Sequence, residues 1–119
     1  MNVFCGTGHL GADPNPRDFE SGAKVVHFTL YVNERYRRNG QVQERTHRIP
    51  IEAWGKTAEY ATQYLQSGTL VNVQGSVVEN TWTEEGQKRS RLIIKASRIE
   101  NLSPKPQDSA EAPEDNDEF

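Results

Sequence analysis

Two stretches of the chain alternate apolar and polar residues with a period of two. Val26, Phe28, Leu30 and Val32 interleave with His27, Thr29, Tyr31 and Asn33. Val71, Val73, Gly75 and Val77 interleave with Asn72, Gln74 and Ser76. Such a period turns one edge of a segment to a core and the other to solvent, so both are read as half-buried strands. Residues 91–96 and 45–54 are further β-rich runs, and residues 1–7 form a fifth, short one. Pro50 falls inside the 45–54 run. Proline has no ladder donor, so that strand must be an edge or bulged there.

One segment, residues 56–67, has helical spacing. Ala58, Ala61 and Leu65 fall on one face, and Tyr60 and Tyr64 are i,i+4 neighbours. Gly68 follows as a stop. The order is therefore β-β-β-α-β-β. The expected fold is all-β: a five-stranded Greek-key barrel of the oligonucleotide-binding (OB) type, with one α-helix between strands 3 and 4. Another small five-stranded barrel or sandwich shares the strand count, but the element order favours the OB barrel. Residues 34–44 and 79–91 are read as the loops that join strands two to three and four to five. Each carries a turn glycine, Gly40 or Gly86, and each mixes an aromatic with arginines.

The 119 residues suit one domain. Hydrophobic residues make up 34%, below the usual ~45–50%. The core must be small, or supplemented by subunit contacts. No apolar run approaches the ~20 residues of a membrane helix, and the N-terminus has no basic-then-apolar signal pattern. A cytoplasmic location is expected. The single cysteine, Cys5, excludes an intrachain disulfide and a multi-cysteine zinc site; in an apolar strand it is expected to be a small buried hydrophobe.

The net charge of -3 conceals a division. Residues 1–102 carry 13 Lys/Arg against 11 Asp/Glu, whereas residues 103–119 carry one lysine against six acids. The division gives two parts: a folded binding domain over 1–102 and an acidic tail over 103–119. From Ser103 to Glu118 the tail has no aromatic or β-branched residue, so it cannot offset its ordering entropy and is expected to be disordered. It ends on Phe119 after an acidic cluster. A frayed end with an accidental phenylalanine and an interaction tip are both open on the residues alone.

Gly6-Thr-Gly-His-Leu-Gly11 matches G-x-G-x-x-G and follows a strand. A dinucleotide site needs a helix to open there, but Asp13-Pro-Asn-Pro16 follows. The glycines are assigned to a turn or bulge instead. His9, His27 and His47 lack paired ligand spacing, so no metal is expected. No activated nucleophile or acid–base pair is recognisable, so neither enzyme activity nor a cofactor is expected.

The strongest chemical signal is basic and aromatic: Arg35, Tyr36, Arg37, Arg38, Arg48, Trp54, Lys56, Trp82, Lys88, Arg89 and Arg91. Single-stranded nucleic acid needs this mixture. Cations follow phosphates and release counterions, while aromatic faces stack on unpaired bases. The alternative is that the tryptophans are core and the arginines solvate a rim. That is a serious alternative for Trp54, which ends a buried strand. It is weaker for Trp82, whose neighbours are polar.

Residues Gly8-His-Leu-Gly-Ala-Asp-Pro14, Phe28-Thr-Leu30, the stretch Trp54 to Gly68, Val73-Gln-Gly75, Thr81-Trp-Thr-Glu84 and the acidic end with Phe119 match one family in order and spacing. Over nearly its whole length the chain resembles the bacterial single-stranded DNA-binding protein. The resemblance implies an OB fold, a homotetramer, and sequence-tolerant binding of single-stranded DNA in replication, recombination and repair. It implies stacking positions at Tyr36, Trp54 and Trp82. A further stacking position, often tryptophan, falls on Arg48, and Ile49 falls at a tetramer contact. It also implies that the tail, through Asp115, Asp117, Glu118 and Phe119, docks on replication and repair enzymes. Two other readings keep the fold: an accessory factor of the primosome with weak DNA binding, and an RNA-binding barrel.

Overall fold

Val26, Leu30, Val71 and Val73 are fully buried, as a two-residue period requires of them. The computed structural model describes residues 1–18 and 22–103. Its elements are β1 (Phe4–Leu10), β2 (Asn15–Asp18), β3 (Lys24–Arg38), β4 (Gln41–Trp54), α1 (Gly55–Tyr64), β5 (Leu70–Glu84) and β6 (Gln87–Asn101).

Five of the strands close a barrel. β1 pairs antiparallel with β5, β5 with β6, and β4 with β3. β6 meets β4 in parallel at Ile51↔Ile94 and Glu52↔Lys95. β1 completes the ring against β3 at His9↔Tyr31 and Leu10↔Leu30. This is the expected five-stranded OB barrel, with its helix between the third and fourth barrel strands. β2 is an addition that pairs with β3 alone among the described residues. Its sequence, Asn-Pro-Arg-Asp, has no β-forming residue, so only pairing makes it a strand.

The helix covers one end of the barrel with the expected face. Ala58, Ala61 and Leu65 are all buried in the core cluster. Tyr60 and Tyr64 pack with ring centroids 5.2 Å apart. The helix ends at Tyr64, before the expected Ser67, because Leu65 turns to extended backbone and enters the core. Gly68 lies three residues beyond Leu65, and its N–H donates to the Leu10 carbonyl at 2.8 Å. No helix among the described residues is long and apolar enough to cross a membrane.

Three features differ from expectation. First, residues 34–44 and 79–91 are not loops. They are the outer halves of two long hairpins, β3–β4 and β5–β6, with two-residue turns at Asn39-Gly40 and Glu85-Gly86. All four turn residues have positive φ, between 52° and 79°. Consecutive left-handed residues are the geometry that matches the twist of paired strands. The arms carry no apolar alternation because they extend beyond the core.

Second, β1 runs to Leu10, so Gly6 and Gly8 are strand residues rather than a turn. A Cβ on Gly8 would lie 2.3 Å from the Tyr31 carbonyl oxygen, where β1 crosses from β5 to β3. Glycine is required there by close backbone approach. Third, Cys5 is exposed, not buried. The buried residues of β1, Gly8 and Leu10, set the inward parity, so odd positions face out.

Pro50 sits where the proline rule requires. Described pairing of β4 with β6 begins only at Ile51, so at Pro50 β3 is its neighbour. A bulge lies on β6. The β5–β6 register steps from Gln74↔Arg98 to Gly75↔Ala96, leaving Ser97 as the extra residue. Its hydroxyl donates to the Gln74 carbonyl at 3.1 Å.

Candidate nucleic-acid interface

Registered residues on paired strands project to the same side of the sheet. On β3–β4 the register therefore sorts the basic and aromatic residues. Trp54, Glu52, Pro50 and Arg48 of β4 share one face with His27, Thr29, Tyr31, Arg35 and Arg37 of β3. Tyr36 and Arg38 have the opposite parity and share theirs with Glu34 and Arg45. The same logic divides β5–β6. Trp82, Arg89 and Arg91 share a face, while Lys88 opposes Thr83 on the other. The Arg35–Arg38 run, contiguous in sequence, is thus split between two surfaces.

The two hairpins then form a cleft of about 810 Å³. Arg17, His27, Thr29 and Pro50 line it from β2, β3 and β4; Asn80, Trp82, Arg91 and Ile93 line it from β5 and β6. Arg48 and Trp54 flank Pro50 on the same face of β4, two and four residues away. Of the expected site residues, Trp82 and Arg91 line this cleft, while Arg48 and Trp54 lie beside it on the β4 face that carries Pro50. Arg35 and Arg37 continue the Arg48 face outward along the arm, and Arg89 extends the Trp82 face. Lys56 is exposed on the first turn of α1. Tyr36, Arg38 and Lys88 lie on the reverse of their hairpins. Arg17 and Tyr31 were missed from sequence. Tyr31 was already on the polar edge of the alternating run; Arg17 carried no signal, because β2 has no strand pattern.

Neither tryptophan belongs to the core. Trp54 is 38% and Trp82 42% exposed. Trp54 ends a buried strand, as the sequence suggests, but its parity is that of the outer face. Its indole N–H donates to the Glu52 carboxylate. The other oxygen of Glu52 lies 3.1 Å from His27 Nε2.

The cations are lightly held. Arg35 pairs with Glu44 at 3.2 Å and Arg89 with Glu84 at 3.9 Å, both exposed. Exposed pairs contribute at most about 1 kcal/mol and yield readily to a phosphate. Arg17, Arg37, Arg38, Arg48, Lys56, Lys88 and Arg91 have no carboxylate within ion-pair distance among the described residues. The guanidinium carbon of Arg45 lies 5.3 Å from the centroid of Tyr36, and that of Arg48 5.5 Å from the centroid of Tyr31. Both fall within the ~6 Å range of cation–π attraction. Glu34 accepts from His47 Nε2 at 2.8 Å. That hydrogen bond, helped by the charge of His47 and Arg45 and opposed by slight desolvation, holds the Glu34 carboxyl below its ordinary range. No cluster of three metal-binding side chains occurs among the described residues.

This barrel with its aromatic-basic cleft has known counterparts. The profile of the Single-strand binding protein family matches residues 1–102. The chain belongs to the single-strand binding protein family. Its relatives in that family are not enzymes. Single-stranded DNA-binding protein 1 of Synechocystis sp. is 39% identical over 114 residues, covering 94% of this chain and 91% of its own. The single-stranded DNA-binding protein of Aquifex aeolicus is 39% identical over 101 residues, covering 83% and 68%. Among solved structures, Plasmodium falciparum SSB in complex with ssDNA shares the fold, with a TM-score of 0.79 at 24% identity over 87% of this chain and 96% of that one. A deletion mutant of the single-stranded DNA-binding protein from Thermus aquaticus matches with a TM-score of 0.78 at 25% identity, over 87% of this chain and 51% of that one. The family match ends at Leu102, and the tail residues Asp115, Asp117, Glu118 and Phe119 lie outside the described residues.

Proposed function

We propose that this single-strand binding protein family member binds and protects single-stranded DNA without sequence preference. The observation that carries the reading is a cleft between two hairpins lined by Trp82 and Arg91, with Arg48 and Trp54 on the adjoining β4 face that carries Pro50. Base–aromatic stacks of this kind contribute about 1–3 kcal/mol each and tolerate any base. The cations that have no carboxylate partner among the described residues supply the phosphate contacts. Little of this reads base edges, which fits sequence tolerance. The mechanism is passive: rings hold bases, cations hold phosphates, and no bond is made or broken.

The finer reading extends the resemblance. The protein acts in DNA replication, recombination and repair in the cytoplasm, at the nucleoid. It assembles as a homotetramer, which joins four clefts into one long path. Ile49, half-buried against the core, is the candidate contact residue. The acidic tip, Asp115, Asp117, Glu118 and Phe119, recruits partner enzymes. A ring and terminal carboxylate suit a basic-rimmed apolar pocket, and the neighbouring acids steer the approach.

The test is a tryptophan-fluorescence titration with oligo-dT, oligo-U and duplex DNA at low and moderate salt. Strong quenching by dT, less by U and little by duplex supports the reading. Equal response to U and dT points to the RNA-binding alternative, because these contacts do not read the sugar. Weak response to all three overturns the reading in favour of an accessory factor.

A further inference from the structure

Gly11 ends the glycine-rich stretch that no dinucleotide explains. A Cβ built on it would lie 2.4 Å from Tyr31 Cε1 and 2.7 Å from Tyr31 Cζ. Only hydrogen fits there while the ring keeps its place. The Gly11 N–H donates to the Thr29 carbonyl at 3.0 Å, which fixes this approach to β3. The ring of Tyr31 thus rests against backbone. Across the hairpin, Arg48 is the register partner of Tyr31, with its guanidinium carbon 5.5 Å from the ring centroid. The phenol thus lies against the Gly11 backbone and within cation–π range of the Arg48 guanidinium. Arg48 is exposed, and no carboxylate holds it among the described residues.

We propose that Gly11, Tyr31 and Arg48 form a preassembled stacking platform for one unpaired base, in which Tyr31 is a positioning residue for Arg48. The proposal rests on the single-stranded DNA reading above and adds a mechanism to it. A guanidinium is planar and has two faces. Tyr31 occupies one, and a base takes the other. Its N–H groups lie in the plane and remain free to reach a phosphate. An arginine already held against a ring loses less side-chain freedom on binding than one moving in solvent. The platform stands on the face of β4 that carries Pro50 and Trp54, so a strand leaving the cleft meets it next.

A platform and a simple phosphate contact leave different salt signatures. Counterion release follows charge, whereas stacking does not. The experiment measures dT-oligomer affinity of the full chain across a salt series by intrinsic fluorescence. The variants are Arg48→Lys, Tyr31→Leu, Tyr31→Phe and the double Arg48→Lys/Tyr31→Leu. Arg48→Lys keeps the charge and loses the plane. Arg48→Lys and Tyr31→Leu are each expected to weaken binding about fivefold, the lower end for a base stack. The loss persists at every salt concentration with an unchanged slope. The double variant is no weaker than either single one, and Tyr31→Phe binds like the parent. Thermal melting checks each fold; if Tyr31→Leu melts early, Tyr31→Met replaces it, and the exposed Arg48→Lys decides independently. Parent-like binding by Arg48→Lys, or multiplied losses in the double variant, overturns the platform alone. Failure of the parent chain to bind dT overturns the DNA reading and the platform together.

Discussion

The indole N–H of Trp54 donates to the carboxylate of Glu52, two residues earlier on the same face of β4. The second carboxylate oxygen is engaged by His27 across the register, and the Glu52 side chain is only 13% exposed. An acid on the face proposed to bind phosphates would oppose the ligand, so its presence calls for a structural reason. Glu52 fixes the ring of Trp54. Glu52→Ala removes the acceptor and the charge; Glu52→Gln keeps an oxygen for the indole and removes only the charge. Glu52→Ala is expected to cost about 1.5 kcal/mol in a denaturant titration, the low end for bonds to a charged group. Glu52→Gln should cost less than half of that and bind dT more tightly at low salt. Equal stabilities for the two variants would show that Glu52 does not hold the ring.

Trp54 and Trp82 stand on different hairpins, Trp82 in the wall of the cleft and Trp54 beside it on β4, and both lie outside the core. Replacing either with alanine should therefore separate binding from folding. Each substitution is expected to weaken dT binding by about 1–3 kcal/mol. The melting temperature should move little for Trp82→Ala, because Trp82 is 42% exposed and stands outside the core cluster. A large loss of stability in Trp82→Ala with unchanged affinity would assign it to structure instead.

Gly75 shows what the β6 bulge demands. A Cβ there would lie 2.1 Å from the Lys95 carbonyl oxygen, and backbone cannot step aside as a flexible side chain does. Gly75→Ala is expected to destabilise the barrel by about 3 kcal/mol or more, among the larger single-residue effects. Gly40→Ala provides the contrast. It strains one left-handed turn residue at the tip of an arm, at about 1 kcal/mol, with open space around it. Chemical denaturation of the two variants ranks them; the reverse order would contradict the bulge geometry.

The parts of the fold that face a core were legible, and the parts that do not were misread. Val26 to Val32 alternate because one edge is buried, so the period was visible. Beyond Asn33 the same strand continues as Glu-Arg-Tyr-Arg-Arg with no core beneath it, and the period vanishes although the hydrogen-bond ladder does not. The signal available there was Asn39-Gly40, a turn pair that demands two left-handed residues and hence a tight hairpin. Reading residues 34–44 as a loop concealed a consequence for the site. In a loop, Arg35 to Arg38 are simply neighbours; in a strand they alternate, and Tyr36 and Arg38 part from Arg35 and Arg37. Trp54 is the converse case. Its position at the end of a buried strand suggested core, and only its parity with Arg48, Pro50 and Glu52, opposite to that of buried Ile51 and Ala53, puts it outside.

The Glu34–His47 contact makes a prediction confined to the β3–β4 arm. The folded carboxyl is held below its ordinary range, chiefly by the hydrogen bond from His47. The contact therefore acts above the unfolded carboxyl range and is lost as pH falls through the lowered folded value. Both groups are exposed, so global stability should not follow this titration. Carboxyl chemical shifts are expected to place the Glu34 midpoint below the ordinary glutamate range. His47→Ala should raise it. A midpoint that ignores His47→Ala would assign the shift elsewhere.

The tail supplies the last prediction. It holds six acids against one lysine, so without it the net charge moves from -3 to +2. Such a segment is expected to compete with DNA for the cations of the cleft. The truncation point follows from the structure. Ser103 belongs to the barrel, since the Leu70 N–H donates to its hydroxyl at 2.7 Å, and deletion should begin at residue 104. The deleted chain is expected to bind dT several-fold more tightly at low salt. The difference should vanish at ~1 M salt, where screening shortens electrostatic reach to ~3 Å. An advantage that survives high salt would mean that the tail blocks the cleft sterically, and no advantage at low salt would mean that it does not visit the cleft at all.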